Sequence, residues 1–331
     1  MPIPVVICDD SSFARKQVAR ALPNGWDITL SFASNGREGI EAIREGKGDI
    51  LFLDLQMPDM DGFEVLETIR RKNLQTLPIV ISGDIQEESQ KRVKSLGAVA
   101  FVKKPVDAPE LSAILDSYGV LSILETPMEE VREDSVTFED WIQEIANIAM
   151  GRAADLLAQF IDESIELSIP KVRLLEPVEL DMMLASSSKR GISHVSQGFI
   201  GSGVFGETLI IFHDINFSEL SKLMNYSQEL DGNGEMELLM GLSNILSGSF
   251  LKEIAELLTV NFSFGHPRIS SSSLGYDELE HREIDPSEKV LSIHINYAIG
   301  KNKVECEQLI LFPQEALSAL RSKASYILEK R

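Results

Sequence analysis

The sequence predicts an α/β chain in two parts: a doubly wound parallel sheet, then a pseudo-symmetric α/β (α+β) domain with two long helices on a sheet. Three observations carry this. Short apolar runs alternate with helical patterns over the first third of the chain, as in a parallel sheet covered on both faces. Two long helical patterns recur in the remainder. Two strand-like words there, Glu207-Thr208-Leu209-Ile210-Ile211-Phe212 and Glu307-Gln308-Leu309-Ile310-Leu311-Phe312, are nearly identical, which marks an internal repeat.

The apolar runs of the first part end on chemistry. Ile3-Pro4-Val5-Val6-Ile7-Cys8 stops at Asp9-Asp10, and Ile50-Leu51-Phe52-Leu53 stops at Asp54. Pro78-Ile79-Val80-Ile81 ends at Ser82, and Val99-Ala100-Phe101-Val102-Lys103 ends at Lys104-Pro105. Active groups of such sheets collect at the carboxyl ends of the strands. One edge should therefore gather three carboxylates, a hydroxyl and an ammonium. Taken singly, each is a solvated strand-end residue. Together they suit a hard cation such as Mg²⁺ among the carboxylates, with Ser82 and Lys104 binding phosphoryl oxygens.

On these residues, residues 1–121 resemble a response-regulator receiver domain (CheY-like) of two-component signalling. The resemblance implies a five-stranded sheet of order 2-1-3-4-5, with Asp54 as phospho-acceptor. It implies that Asp9, Asp10 and Asp54 hold Mg²⁺, and that Ser82 and Lys104 bind the phosphoryl group. Phe101 would be the aromatic switch, and Lys104-Pro105 matches a step that is usually cis. A histidine kinase would be the phosphodonor.

Charge constrains the second part of the chain. The chain has 331 residues and a net charge of −21. Residues 1–121 hold 14 basic and 18 acidic side chains, and the remainder 17 and 34. Such an acidic second part is repelled by nucleic-acid phosphates, so no nucleic-acid partner is expected. No apolar stretch reaches spanning length and no signal peptide is visible, so no membrane partner is expected either. Cys8 and Cys306 lie in apolar runs and read as core thiols of a cytoplasmic protein. Residues 122–136, which include Pro127 and a charged run, read as an acidic linker. The second domain is expected over 137–331.

Each half of that domain shows a long helix, two strands and a further helix. In the first long helix, Phe138, Trp141, Ile142, Ile145, Ile148, Ala149, Ala153, Leu156, Leu157 and Phe160 form a broad apolar stripe. Glu144, Asn147, Gly151 and Ala154 fall off it, on what should be an exposed face that another backbone can approach at the glycine. The pattern Asp140-x₃-Glu144-x₂-Asn147-x₂₂-Pro170 returns as Glu237-x₃-Gly241-x₂-Asn244-x₂₂-Pro267.

On that pattern residues 137–331 resemble the CheC/CheX family of phosphatases, which dephosphorylate chemotaxis receivers. The resemblance implies Glu144 and Asn147 as the catalytic pair. Gly241 replaces the glutamate in the second half, which leaves Asn244 in a degenerate second site. The expected activity is hydrolysis of the aspartyl phosphate of a separate, phosphorylated CheY-like response regulator. Asn147 would orient the water and Glu144 would bind the target's phosphoryl-contacting lysine. The chain's own receiver would regulate this, through a face of its last two helices and the strand ending at Lys104 that either covers Glu144 and Asn147 or forms a homodimer on phosphorylation. Two alternatives stay open: a non-enzymatic adaptor or phosphate sink, and hydrolysis of the chain's own Asp54 phosphate, in cis or across a dimer.

Other features read as structural. His194, His213, His266, His281 and His294 show no metal-ligand spacing. Ser270-Ser271-Ser272-Ser273 reads as a loop, and Gly201-Ser202-Gly203 as a hairpin turn.

Overall fold

The computed structural model describes residues 2–23, 25–118, 137–187, 193–213, 215–226, 230–270, 289–300 and 304–330. The expected linker 122–136, the end of the receiver at 119–121, His281 and Ser271–Ser273 lie outside them. The chain divides into two compact units, Met1–Gly151 and Arg152–Arg331.

The first unit holds the parallel sheet. Its strands are β1 (Ile3–Cys8), β2 (Ile28–Ala33), β3 (Ile50–Leu53), β4 (Leu77–Ser82) and β5 (Ala100–Lys103), in the order β2-β1-β3-β4-β5. Each predicted run is a strand, and all pairs are parallel. The runs carry little polar punctuation because both faces are covered. Helices α1 (Ser12–Ala21) and α5 (Ala108–Ser117) cover one face, where Val18, Leu111 and Leu115 pack on Val5, Ile7, Phe52 and Val102. Helices α2 (Gly36–Arg44), α3 (Gly62–Lys72) and α4 (Glu87–Ser95) cover the other, through Ile40, Val65, Leu66 and Val93. The helix starts are written locally. Ser11, Asn35 and Asp107 cap α1, α2 and α5, and Asp61 with Glu64 forms a capping box on α3. The Lys104-Pro105 peptide is cis. The unit also contains the first half of a long helix, α6 (Phe138–Ile161).

The second unit is built on an eight-stranded antiparallel sheet, with a path β10-β8-β9-β13-β12-β6. Its strands are β6 (Ile165–Leu167), β7 (Lys171–Leu175), β8 (Ser193–Gly201), β9 (Val204–Phe212), β10 (Ser263–Phe264), β11 (Arg268–Ser270), β12 (Val290–Ile299) and β13 (Val304–Phe312). Helices α7 (Pro177–Ser187), α8 (Phe217–Leu223), α9 (Gly232–Leu258) and α10 (Gln314–Lys330) complete it. The Gly201-Ser202-Gly203 turn joins β8 to β9, with Ser202 and Gly203 at positive φ.

The internal repeat is visible in the strand register. The two similar words lie side by side on β9 and β13, and Leu209 pairs with Leu309. These are equivalent positions of the repeat, so the local twofold passes through that pair. The short strands obey the same symmetry. β6 and β7 of the first half pair with β12, and β10 and β11 of the second half pair with β8. Pro170 and Pro267 each sit between two such short edge strands, where a missing N–H costs nothing. That accounts for the repeated Asn-to-Pro spacing. The sheet face toward α9 carries a buried polar chain: Tyr297 donates to Gln308, Gln308 to Thr208, and Thr208 shares a hydrogen bond with Ser247 of α9.

Two expectations about α6 are corrected. Leu156 and Phe160, counted into the apolar stripe, are 42% and 57% exposed; the buried stripe is narrower than a count of apolar residues gives. Glu144 and Asn147, expected on an exposed face, are 0% and 2% exposed.

Phe250 is fully buried on α9. Phe250→Ala is expected to destabilise the second unit by about 3–5 kcal/mol. Urea unfolding of that unit should show the lower midpoint.

Candidate functional site

The carboxyl ends of β1, β3, β4 and β5 bring the predicted residues together. Asp9, Asp54, Ser82 and Lys104 are all buried, and Asp10 is half-buried. Lys104 Nζ lies 2.8 Å from Asp9 Oδ2 and 3.3 Å from Asp54 Oδ1. The Ser11 N–H donates to Asp9 Oδ1 at 2.8 Å, and the Gln56 N–H to Asp54 Oδ2 at 3.2 Å. Ser82 Oγ accepts from the Asp84 N–H. Phe101, on β5, is half-buried against the α2–α4 face.

Oxygens of Asp9, Asp10 and Asp54 lie within 4.8 Å of one another, and Asp10 Oδ1 is buried without a hydrogen-bond partner. An all-oxygen set with an unsatisfied buried lone pair fits a hard divalent cation, so these three side chains could hold Mg²⁺. Asp9→Asn is expected to weaken Mg²⁺ binding by more than the roughly 10–100-fold that loss of an outer-shell partner costs, as read by calorimetric titration.

A fourth carboxylate joins this edge within the same unit. Glu144 of α6 places Oε1 3.1 Å and Oε2 3.4 Å from Lys104 Nζ. Two further contacts hold the start of α6: Ser12 Oγ donates to Asp140 Oδ2 at 3.0 Å, and Asp140 also accepts from the Thr137 N–H. One turn beyond Glu144, the Asn147 backbone passes over Gly83, the residue after Ser82. Another turn on, Gly151 lies against the Gly83 carbonyl so closely that a methyl group there would overlap it. Two glycines let helix and loop approach at backbone distance.

Electrostatics follows from one cation among four carboxylates. Burial pushes the Asp54 carboxyl well above its ordinary range; Lys104 pulls it back, and Asp9, Asp10 and Glu144 push it up again. Burial likewise raises Glu144, against the pull of Lys104. Asp10 is pushed up to about 7 by burial and by Asp9. Burial opposes the Lys104 charge, yet Asp54, Asp9 and Glu144 hold its pKa well above the ordinary value. Lys104 is therefore a fixed ammonium, and the edge is short of positive charge, a deficit that a divalent ion relieves.

Asn147 is different in kind. Its side-chain Nδ2 and Oδ1 are both buried without a hydrogen-bond partner. Each such atom costs about 1–3 kcal/mol, and costs of that kind concentrate at functional positions.

The pseudo-equivalent face of α9 has none of this setting. Asn244 is exposed, Gly248 faces open space, and Gly241 has only the Met224 side chain near it. Sequence reasoning missed Ser12 and Gly83 as neighbours of α6. Gly151, a glycine inside a helix, was the available signal.

Residues 5–116 match the response regulator receiver domain family. Residues 5–116 are a receiver domain. Receiver domains are modules of two-component signalling. Similar curated proteins include a protein-glutamate methylesterase/protein-glutamine glutaminase of Geobacter sulfurreducens, 34% identical over 157 residues that make up 45% of this chain. Another of that name, from Methanospirillum hungatei, is 40% identical over 108 residues, or 31% of this chain. The chain spans 40% and 31% of the lengths of these relatives. Among solved structures, FliY of Thermotoga maritima aligns over 60% of this chain and all of its own, at 19% identity and a TM-score of 0.42. A likeness at that level bears on neither fold nor activity. No described helix is long and apolar enough to cross a membrane.

Proposed function

We propose that this chain is a two-component signalling protein that hydrolyses the aspartyl phosphate of a response-regulator receiver, of the CheC/CheX type. Asp54 is its own phospho-acceptor, Ser82 and Lys104 hold the phosphoryl oxygens, and Asp9, Asp10 and Asp54 hold Mg²⁺, which supplies charge neutralisation. The observation that carries the reading is the position of Asn147: a buried, unpartnered amide on a helix whose Glu144 is paired to the lysine of a receiver phosphorylation site.

Hydrolysis of an aspartyl phosphate asks little of a second protein surface. The receiver already supplies the electrophile and the cations. What remains is to hold one water in line with the scissile P–O bond. An amide does this by accepting from the water through Oδ1 and donating to the phosphoryl group through Nδ2. Glu144 fixes the register through Lys104, or through the equivalent lysine of another receiver. Neither residue forms a covalent intermediate.

The names of the curated relatives favour a second reading, hydrolysis of a protein glutamate ester. That chemistry calls for a nucleophile beside a base. His213 and His294 both bond Glu307 instead of a serine or cysteine, and Cys306 is buried, its thiol pushed up to about 12 by that burial. These points favour the phosphatase.

The test is steady-state phosphate release with acetyl phosphate as donor. Asn244→Ala should match the wild type, because its face lacks both the glutamate and the cover. Glu144→Ala and Asn147→Ala should both be slow. An Asn244→Ala enzyme as slow as Asn147→Ala would contradict the single-site assignment.

A further inference from the structure

We infer that the substrate of Glu144 and Asn147 is the phosphoryl group on Asp54 of the same chain, so that the receiver carries its own dephosphorylating helix. The inference rests on the phosphatase reading and narrows its substrate.

Three contacts make the case. Glu144 is paired to Lys104 of its own chain at 3.1 Å. Asp140 accepts a hydrogen bond from Ser12 at 3.0 Å, which fixes the start of α6 on the strand edge beside Asp9 and Asp10. Gly151 meets Gly83 at backbone distance, which fixes α6 two turns beyond Glu144. Asn147 lies between these anchors, its backbone on Gly83 and its amide buried and unpartnered. A helix face held at both ends over Asp54, Ser82 and Lys104, all at most 3% exposed, is a register already chosen for this receiver.

Glu144 and Asn147 are covered by the phosphorylation edge, through Lys104 at the end of β5 and Gly83 beyond β4. In the proposed reaction a water oxygen bonds to phosphorus while the bond from phosphorus to the Asp54 carboxyl oxygen breaks. Asp54 leaves as a carboxylate, and both water protons end on the inorganic phosphate, which forms as dihydrogen phosphate. With α6 down, Asp54 is closed to an incoming phosphodonor, so α6 must lift for phosphorylation and return for hydrolysis.

The test loads full-length chains with radiolabelled acetyl phosphate, removes the donor and follows loss of label. For the wild type, the rate should not change with protein concentration. Asn147→Ala should be about a hundredfold slower. Preincubating labelled Asn147→Ala chains with unlabelled Asp54→Asn chains, whose Asn147 is intact, should not speed its decay. Gly151→Ala, which favours the helix itself but collides with Gly83, should be about tenfold slower with Glu144 and Asn147 intact, the size of effect that forced overpacking produces. Gly83→Ala, whose methyl group would sit 3.0 Å from the Asn147 carbonyl oxygen, should be affected less. Rescue of Asn147→Ala by Asp54→Asn chains would overturn the same-chain assignment while leaving the phosphatase reading intact. Equal decay of Asn147→Ala and wild type would overturn the same-chain assignment, and phosphate release from a separate phosphorylated receiver that is also unchanged in Asn147→Ala would overturn the phosphatase reading.

Discussion

Asp54→Asn is expected to abolish phosphorylation of the chain by acetyl phosphate in the presence of Mg²⁺. The substitution preserves shape and removes the nucleophilic carboxylate. It should also relieve the charge deficit, because Asp54 is one of three carboxylates paired to a single lysine. The variant should therefore fold at least as well as the wild type while incorporating no label. Label incorporation measured by autoradiography checks this. Equal incorporation in the variant would remove the phospho-acceptor assignment.

Asn147→Ala is expected to slow loss of phosphoryl from Asp54 by about a hundredfold, the scale set by misplacing one reacting group. Stability should hold or rise. The side chain leaves two buried polar atoms unpaired, and removing an unpaired amide forfeits no protein hydrogen bond. A variant that loses activity while its unfolding midpoint holds or rises separates a chemical role from a packing role. A variant that loses both would make Asn147 a structural residue of the α6 contact.

Much of this site could be read from the residues. Asp9, Asp54, Ser82 and Lys104 announce themselves because each ends a short apolar run, and a parallel sheet sends all such ends to one edge. The Glu144/Asn147 spacing was equally legible, since three residues along a helix place two side chains on one face. What that face touches was not. A polar helix face reads as solvent-facing unless its partner is known, and the partner of Glu144, Lys104, lies 40 residues away in sequence. Gly151 hinted at a close approach but could not name Gly83. The symmetry was visible in the matching words of β9 and β13, yet β6, β7, β10 and β11 escaped. Strands of two to five residues carry too few alternations to declare a period. Their existence depends on pairing with the other half of the repeat.

The most direct measurement is single-turnover release of inorganic phosphate from the full-length chain phosphorylated at Asp54, wild type against Asn147→Ala, over a hundredfold range of protein concentration. The account predicts two flat lines about a hundredfold apart. Coincident lines, or a wild-type rate that climbs in proportion to concentration, would contradict it.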